Sequence, residues 1–152
     1  MKGRVHQPHL AGPSLSWATM TIVKPALLYF AVVFAMGFAL GTIRVLLVVP
    51  LVGERTAELA EMPLMLGVIV LAARWVVRVW LPDRSFARTL AVGLSAAGLV
   101  LLADVGVGVG MRGMTLGQIF LERDPIAGAA YYVGLLVFAL MPLLLSQVYK
   151  EL

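Results

Sequence analysis

No cysteine occurs in the 152 residues, which excludes disulfides, thiolate metal sites and cysteine nucleophiles and leaves the redox compartment unread. Charge is scarce too: 13% of residues are Asp, Glu, Lys or Arg, against roughly 25% in an average soluble domain. Histidine is nearly missing. Its two copies, His6 and His9, sit together near the N-terminus, and an isolated pair falls short of the three or four ligands a metal site ordinarily uses. With 61% hydrophobic residues and a mean hydropathy of +0.97, the chain has too little polar surface for a water-soluble globule.

What the chain has in abundance is long apolar runs, at about residues 26–49, 62–81, 87–111 and 126–148. A hydrocarbon core roughly 30 Å thick takes about 20 helical residues to cross, so each run is long enough to span it. The expected fold is an all-α integral membrane four-helix bundle, one four-span domain over residues 22–149 behind an N-terminal arm, 1–21. Lys2, Arg4, Lys24, Arg74, Arg78, Arg84, Arg88 and Lys150 would lie on one side of the membrane, and Arg44, Arg55, Arg112 and Arg123 on the other. The excess of basic residues marks the cytoplasmic side, placing both termini and the loop at Pro82 inside a bacterial inner membrane. The net charge of +4 is thus a topology signal, and no nucleic-acid partner is expected. The expected partners are the bilayer and a membrane protein or a second copy of the chain. The first run is too long for a signal-peptide core and no small-residue cleavage site follows it, so it should stay as an anchor. Residues 1–19 carry Pro8 and Pro13 without periodicity and read as a disordered cytoplasmic arm, and Met20 has the form of a second start site.

Local signals place the connections. Pro25 opens the first span at a tolerated first-turn position, and Gly37 and Gly41 form a G-x-x-x-G pair suited to close helix packing, within the chain in preference to a dimer seam. Pro50-Leu-Val-Gly53 makes an outer turn. Glu54, Glu58 and Glu61 then recur on one helical face, and Pro63 either kinks a helix already under way or marks the start of the span. Arg74 and Arg78 are placed to snorkel toward cytoplasmic headgroups. Pro82 stops the second span, and Asp83 or Ser85 is placed to cap the third. Residues 108–113 match G-x-G-x-x-G, but these glycines close a helix instead of opening one, so a dinucleotide site is excluded and close helix approach is the reading adopted. Thr115 and Gln118 have capping-box spacing ahead of a short surface helix, Asp124 and Pro125 start the last span, and Tyr131 and Tyr132 fit an outer aromatic belt.

Ionisable residues inside a membrane are the default candidates for function, since each costs about 2.5–3.5 kcal/mol at a helix centre. Arg44 and Asp104 both fall roughly 7–10 Å to the outer side of their spans' midpoints at 1.5 Å per residue. The expectation is an Arg44–Asp104 pair within an outer-leaflet cluster of Arg44, Glu58, Glu61 and Asp104. Met62, Met65, Met111 and Met114 form two M-x-x-M elements near the same face, a pattern compatible with Cu(I) but also with ordinary gap filling. No cofactor is expected.

The stretch Gly41-Thr-Ile-Arg44, Val49-Pro50, Gly53-Glu54, Glu58-Leu-Ala-Glu61-Met-Pro63, a third span carrying an acid and a fourth containing Phe-Ala-Leu-Met-Pro142 resembles a group of small uncharacterised four-span bacterial inner-membrane proteins. The resemblance covers about residues 22–145, implies the same four-span layout, and brings no catalytic residues with it. The expected role is a structural or assembly component of the membrane whose functional locus is the charged cluster. The alternative is a small proton- or cation-coupled transporter, because carboxylates outnumber arginine in the cluster and a Pro63 kink would free a carbonyl. An envelope-lipid-modifying enzyme and a Cu(I)-handling protein rank below these, and enzymatic activity is not favoured because no nucleophile and base stand together near the cluster.

Overall fold

A computed structural model describes residues 15–83, 85–111, 113–121 and 125–151. Helix α1 covers Leu15–Ile43, a π-helical segment covers Arg44–Val48, and α2 covers Val49–Val52. Then come α3 (Glu54–Trp80), α4 (Phe86–Gly110), the short α5 (Leu116–Phe120) and α6 (Pro125–Glu151). Strands are absent among the described residues. Four continuous helical runs, Met20–Val52, Glu54–Trp80, Phe86–Gly110 and Pro125–Tyr149, are long and apolar enough to cross a membrane. Their outward faces carry exposed Leu71, Leu102, Val133 and Leu136, the surface a multi-pass protein presents to lipid.

Helix α1 packs on α3 and α4, and α6 packs on the same two helices. The dense core lies in the half of the molecule that holds the α3–α4 connection. Tyr29 and Val33 from α1, Ala73, Val76 and Val77 from α3, Val92 and Ala96 from α4 and Phe138 from α6 are all buried there. Small side chains let backbones close up where lipid supplies no hydrophobic drive between helices. The tightest approach is at Gly93, where a Cβ would sit 1.9 Å from the carbonyl oxygen of Ala139. One turn along α6, Pro142 has no N–H to give the carbonyl of Phe138. The buried Tyr29 hydroxyl donates to that carbonyl at 2.9 Å, and the Tyr29 ring stacks on Phe138 with centroids 4.3 Å apart. At the same end, Arg74 and Arg78 of α3 stand 6.0 and 5.0 Å from the centroid of the Tyr149 ring, within reach of a cation–π attraction.

Several local expectations change. Helix α1 begins at Leu15, so Pro25 is a buried interior residue and not a first-turn one. The acidic turns and the span of α3 form one continuous helix through Pro63. Ser85 holds the N-cap position of α4 without a side-chain cap; instead the Thr89 hydroxyl donates to the Ser85 carbonyl at 2.9 Å, and Asp83 pairs with Arg88. The Thr115–Gln118 capping box forms in full. Residues 1–14, including His6 and His9, and the Asp124 cap lie outside the described residues.

Candidate functional site

The other half of the molecule is open. A cavity of about 990 Å³ lies between α1, α3, α4 and α6 and reaches α5. All four residues of the expected cluster, Arg44, Glu58, Glu61 and Asp104, line it, as do Glu54, Arg55, Gln118 and Tyr131.

Arg44 owes its setting to Pro50. A proline ring collides with the carbonyl four residues back, here that of Leu46, and offers that carbonyl no N–H. The chain widens into a π turn whose first residue is Arg44, with the Val49 N–H donating to the Arg44 carbonyl five residues back. Such bulges recur at functional sites. The run then breaks at Gly53, whose φ of 82° suits glycine and lets α3 start at Glu54. Glu58 and Glu61 share the face of α3 that meets Arg44. Arg44 Nε is 2.9 Å from Glu61 Oε2, and Nη1 is 3.8 Å from Glu58 Oε2, with all three side chains about one-fifth exposed or less. The Nε–H is not aimed at the carboxylate: it is buried and without a hydrogen-bond acceptor among the described residues. The contact is therefore an ion pair lacking the directed hydrogen bonds that make bidentate arginine pairs strong.

Asp104 takes a different partner from the one expected. Its carboxylate accepts a hydrogen bond from the Tyr131 hydroxyl of α6, and the described ion pairs of Arg44 go to Glu58 and Glu61. Asp104 lies six residues before the end of α4, and Tyr131 six residues into α6, so both sit about 9 Å below their helix ends at 1.5 Å per residue. Tyr131 is the site residue that the sequence reading missed. Read as a belt tyrosine, it lines the cavity, while Tyr132 beside it is exposed and packs edge-on against it with centroids 5.2 Å apart. Equal depth on two neighbouring spans was the signal available for this pair.

Of the glycine pair, Gly37 packs within the chain: a Cβ there would meet the Met65 methyl at 3.2 Å. Gly41 does not pack on a neighbour; no atom comes within 4 Å of its Cβ position, and both glycines widen the cavity. Gly108 makes room for Ile119 of α5, which would lie 2.5 Å from a Cβ; Ile119 is buried there and closes one wall. Met62, Met65, Met111 and Met114 also line the cavity. Met65 fills the space over Gly37 and Met62 lies 4.0 Å from the Cβ position of Gly134, whereas Met111 is exposed. Among the described residues no group of three or more His, Asp or Glu is placed to hold a metal ion.

The wall changes character with depth. On α3 the lining runs from Glu61 to Met65 to Ile69, on α4 from Asp104 to Val100, and on α6 from Tyr131 to Leu135 to Phe138. Residues four apart share a helix face, so each wall turns apolar one turn below its polar residue. Charge is also distributed unevenly along the chain. In the sequence, residues 44–61 and 104–124 hold six carboxylates and four arginines. The remaining segments hold eight basic residues and two acids.

Comparison with known proteins finds no matching protein family, no matching curated protein and no matching solved structure. The chemistry of the site therefore rests on its own geometry.

Proposed function

We propose that this chain is a four-helix bundle of the bacterial inner membrane, both termini cytoplasmic, that binds a cationic solute in its outer-leaflet cavity and serves as a small cation-coupled transporter. The observation that carries this reading is the cavity itself: the charged cluster lines an open space and is not sealed in a packed interior. Its size falls within the range of roughly 300–1,000 Å³ typical of small-molecule sites, and carboxylates exceed guanidinium groups among its described lining residues. Lys24, Arg74, Arg78 and Arg88 lie toward the opposite ends of their helices, the bias that a cytoplasmic face carries. Proline-interrupted spans with carboxylates near a cavity are the usual parts of a coupling site.

The test is flux in proteoliposomes. Cation- or proton-dependent uptake should appear with the native chain and disappear in Asp104→Asn or Glu61→Gln while helical content is retained. If no flux appears across a panel of monovalent, divalent and organic cations, the transport reading falls.

A second reading, a structural or assembly component, draws on the Arg44 ion pairs with Glu58 and Glu61, which balance the arginine's charge without a ligand. It predicts folded, biologically active neutral variants and no flux.

A further inference from the structure

Resting on the cation-binding reading above, we infer that the ligand is an amphipathic organic ammonium, its charge held by Asp104 and its apolar body lying deeper, toward Phe138. Three observations converge on this class. The first is which charges stay available. Arg44 is held between Glu58 and Glu61, whereas the partner of Asp104 among the described residues is a neutral hydroxyl and no described cation pairs with it. A carboxylate at membrane depth is costly without a positive partner, and a ligand cation supplies one.

The second observation is the sequence of surfaces below Asp104. Val100 lies one turn deeper on the same helix, with Leu135 and Phe138 below Tyr131 on α6 and Ile69 below Glu61 on α3. A hydrated inorganic ion gains nothing from those walls, while an alkyl or aryl group attached to the ammonium buries its surface against them at roughly 25 cal/mol per Å². The third is the donor set. Metal cations of the hard class take six or more oxygen ligands in a compact shell, and no group of three acids or histidines is gathered for one among the described residues. A carboxylate oriented by a tyrosine suits an organic ammonium, whose charge is met by one counter-ion and neighbouring aromatic rings in place of a closed coordination sphere.

Tyr131 is then a positioning residue. Its hydroxyl fixes one carboxylate oxygen of the cavity-lining Asp104 and carries no charge of its own to compete for the ligand. An ammonium on an apolar body occurs both in free amphipathic amines and in the headgroup of phosphatidylethanolamine. The shared chemistry is the proposal, and the lipid composition of the assay tells the sources apart.

The experiment measures binding of tetraphenylphosphonium and of benzyltriethylammonium to the purified full chain in nanodiscs, by calorimetry, with sodium and potassium as competitors. Saturable binding of the organic cations should resist competition by the inorganic ions and weaken at least tenfold in Asp104→Asn. It should weaken several-fold in Tyr131→Phe, which keeps the ring if Asp104→Asn proves unstable. Val100→Ser should weaken the more apolar probe more than the less apolar one. At a constant fraction of phosphatidylglycerol, which holds the surface potential fixed, exchanging phosphatidylcholine for phosphatidylethanolamine raises the apparent Kd if that headgroup is the occupant and leaves it unchanged if a free amine is. Either result keeps the ammonium assignment. Binding that is indifferent to both Asp104→Asn and Tyr131→Phe overturns the proposal. So does inorganic cation flux in proteoliposomes with no organic binding, which leaves the transport reading standing. Neither binding nor flux removes both.

Discussion

Arg44 is the residue whose partner differs most from simple expectation, and a double-mutant cycle reads that partner directly. With Nε 2.9 Å from Glu61 Oε2, the charge centres are about 4 Å apart, an attraction of about 4 kcal/mol at an effective dielectric near 20. Desolvation and the missing directed hydrogen bond at Nε remove part of it, leaving an expected coupling of about 1.5–3 kcal/mol. Arg44→Gln alone takes away the guanidinium 2.9 Å from the Glu61 carboxylate and should cost about 3–5 kcal/mol. Glu61→Gln alone should cost less, because Glu58 remains 3.8 Å from the guanidinium. The double variant should then lose less than the sum of the singles. A parallel cycle on Arg44 and Asp104 should be additive within about 0.5 kcal/mol, since those two groups have separate partners. Both cycles can be read from denaturant unfolding in mixed micelles, followed by helical circular dichroism. Equal coupling in the two cycles, or none between Arg44 and Glu61, would refute the arrangement.

Three further outcomes are open to direct measurement. Gly93→Ala puts a methyl 1.9 Å from the Ala139 carbonyl oxygen and should lower the unfolding midpoint by the equivalent of a few kcal/mol; Gly98→Ala, with open space around its Cβ position, should be neutral or slightly stabilising. Tyr29→Phe preserves the stack on Phe138 but orphans the carbonyl left by Pro142, a loss of about 1–3 kcal/mol for an unsatisfied buried acceptor. An unchanged midpoint would show that the carbonyl finds another donor. Single cysteines at Ser85 and Thr115, both exposed, test orientation in intact cells. Only the Thr115 site should react with an impermeant thiol reagent, and labelling at Ser85 alone reverses the topology.

Although α1 and α3 start well before their apolar runs, at Leu15 and Glu54, the number of spans and the end at which the acids gather follow from the sequence by itself. These depend on the length of apolar runs and on the rise per residue, both of which are local. The Thr115–Gln118 capping box is legible for the same reason, as its partners are three residues apart. Depth is likewise countable, which is why Arg44 and Asp104 fall in one layer with Glu61 nearer the surface. Which of them touch is not countable. Each residue turns the helix by about 100°, so a partner is chosen by the rotation of each span about its axis and by which spans are neighbours. Distant contacts decide those quantities: Gly93 against Ala139 and Tyr29 on Phe138 draw the helices together at one end. The π turn forced by Pro50 resets the face that Arg44 presents. Only that tertiary packing gave Arg44 to Glu61 and Asp104 to Tyr131, and only it left the space between them open.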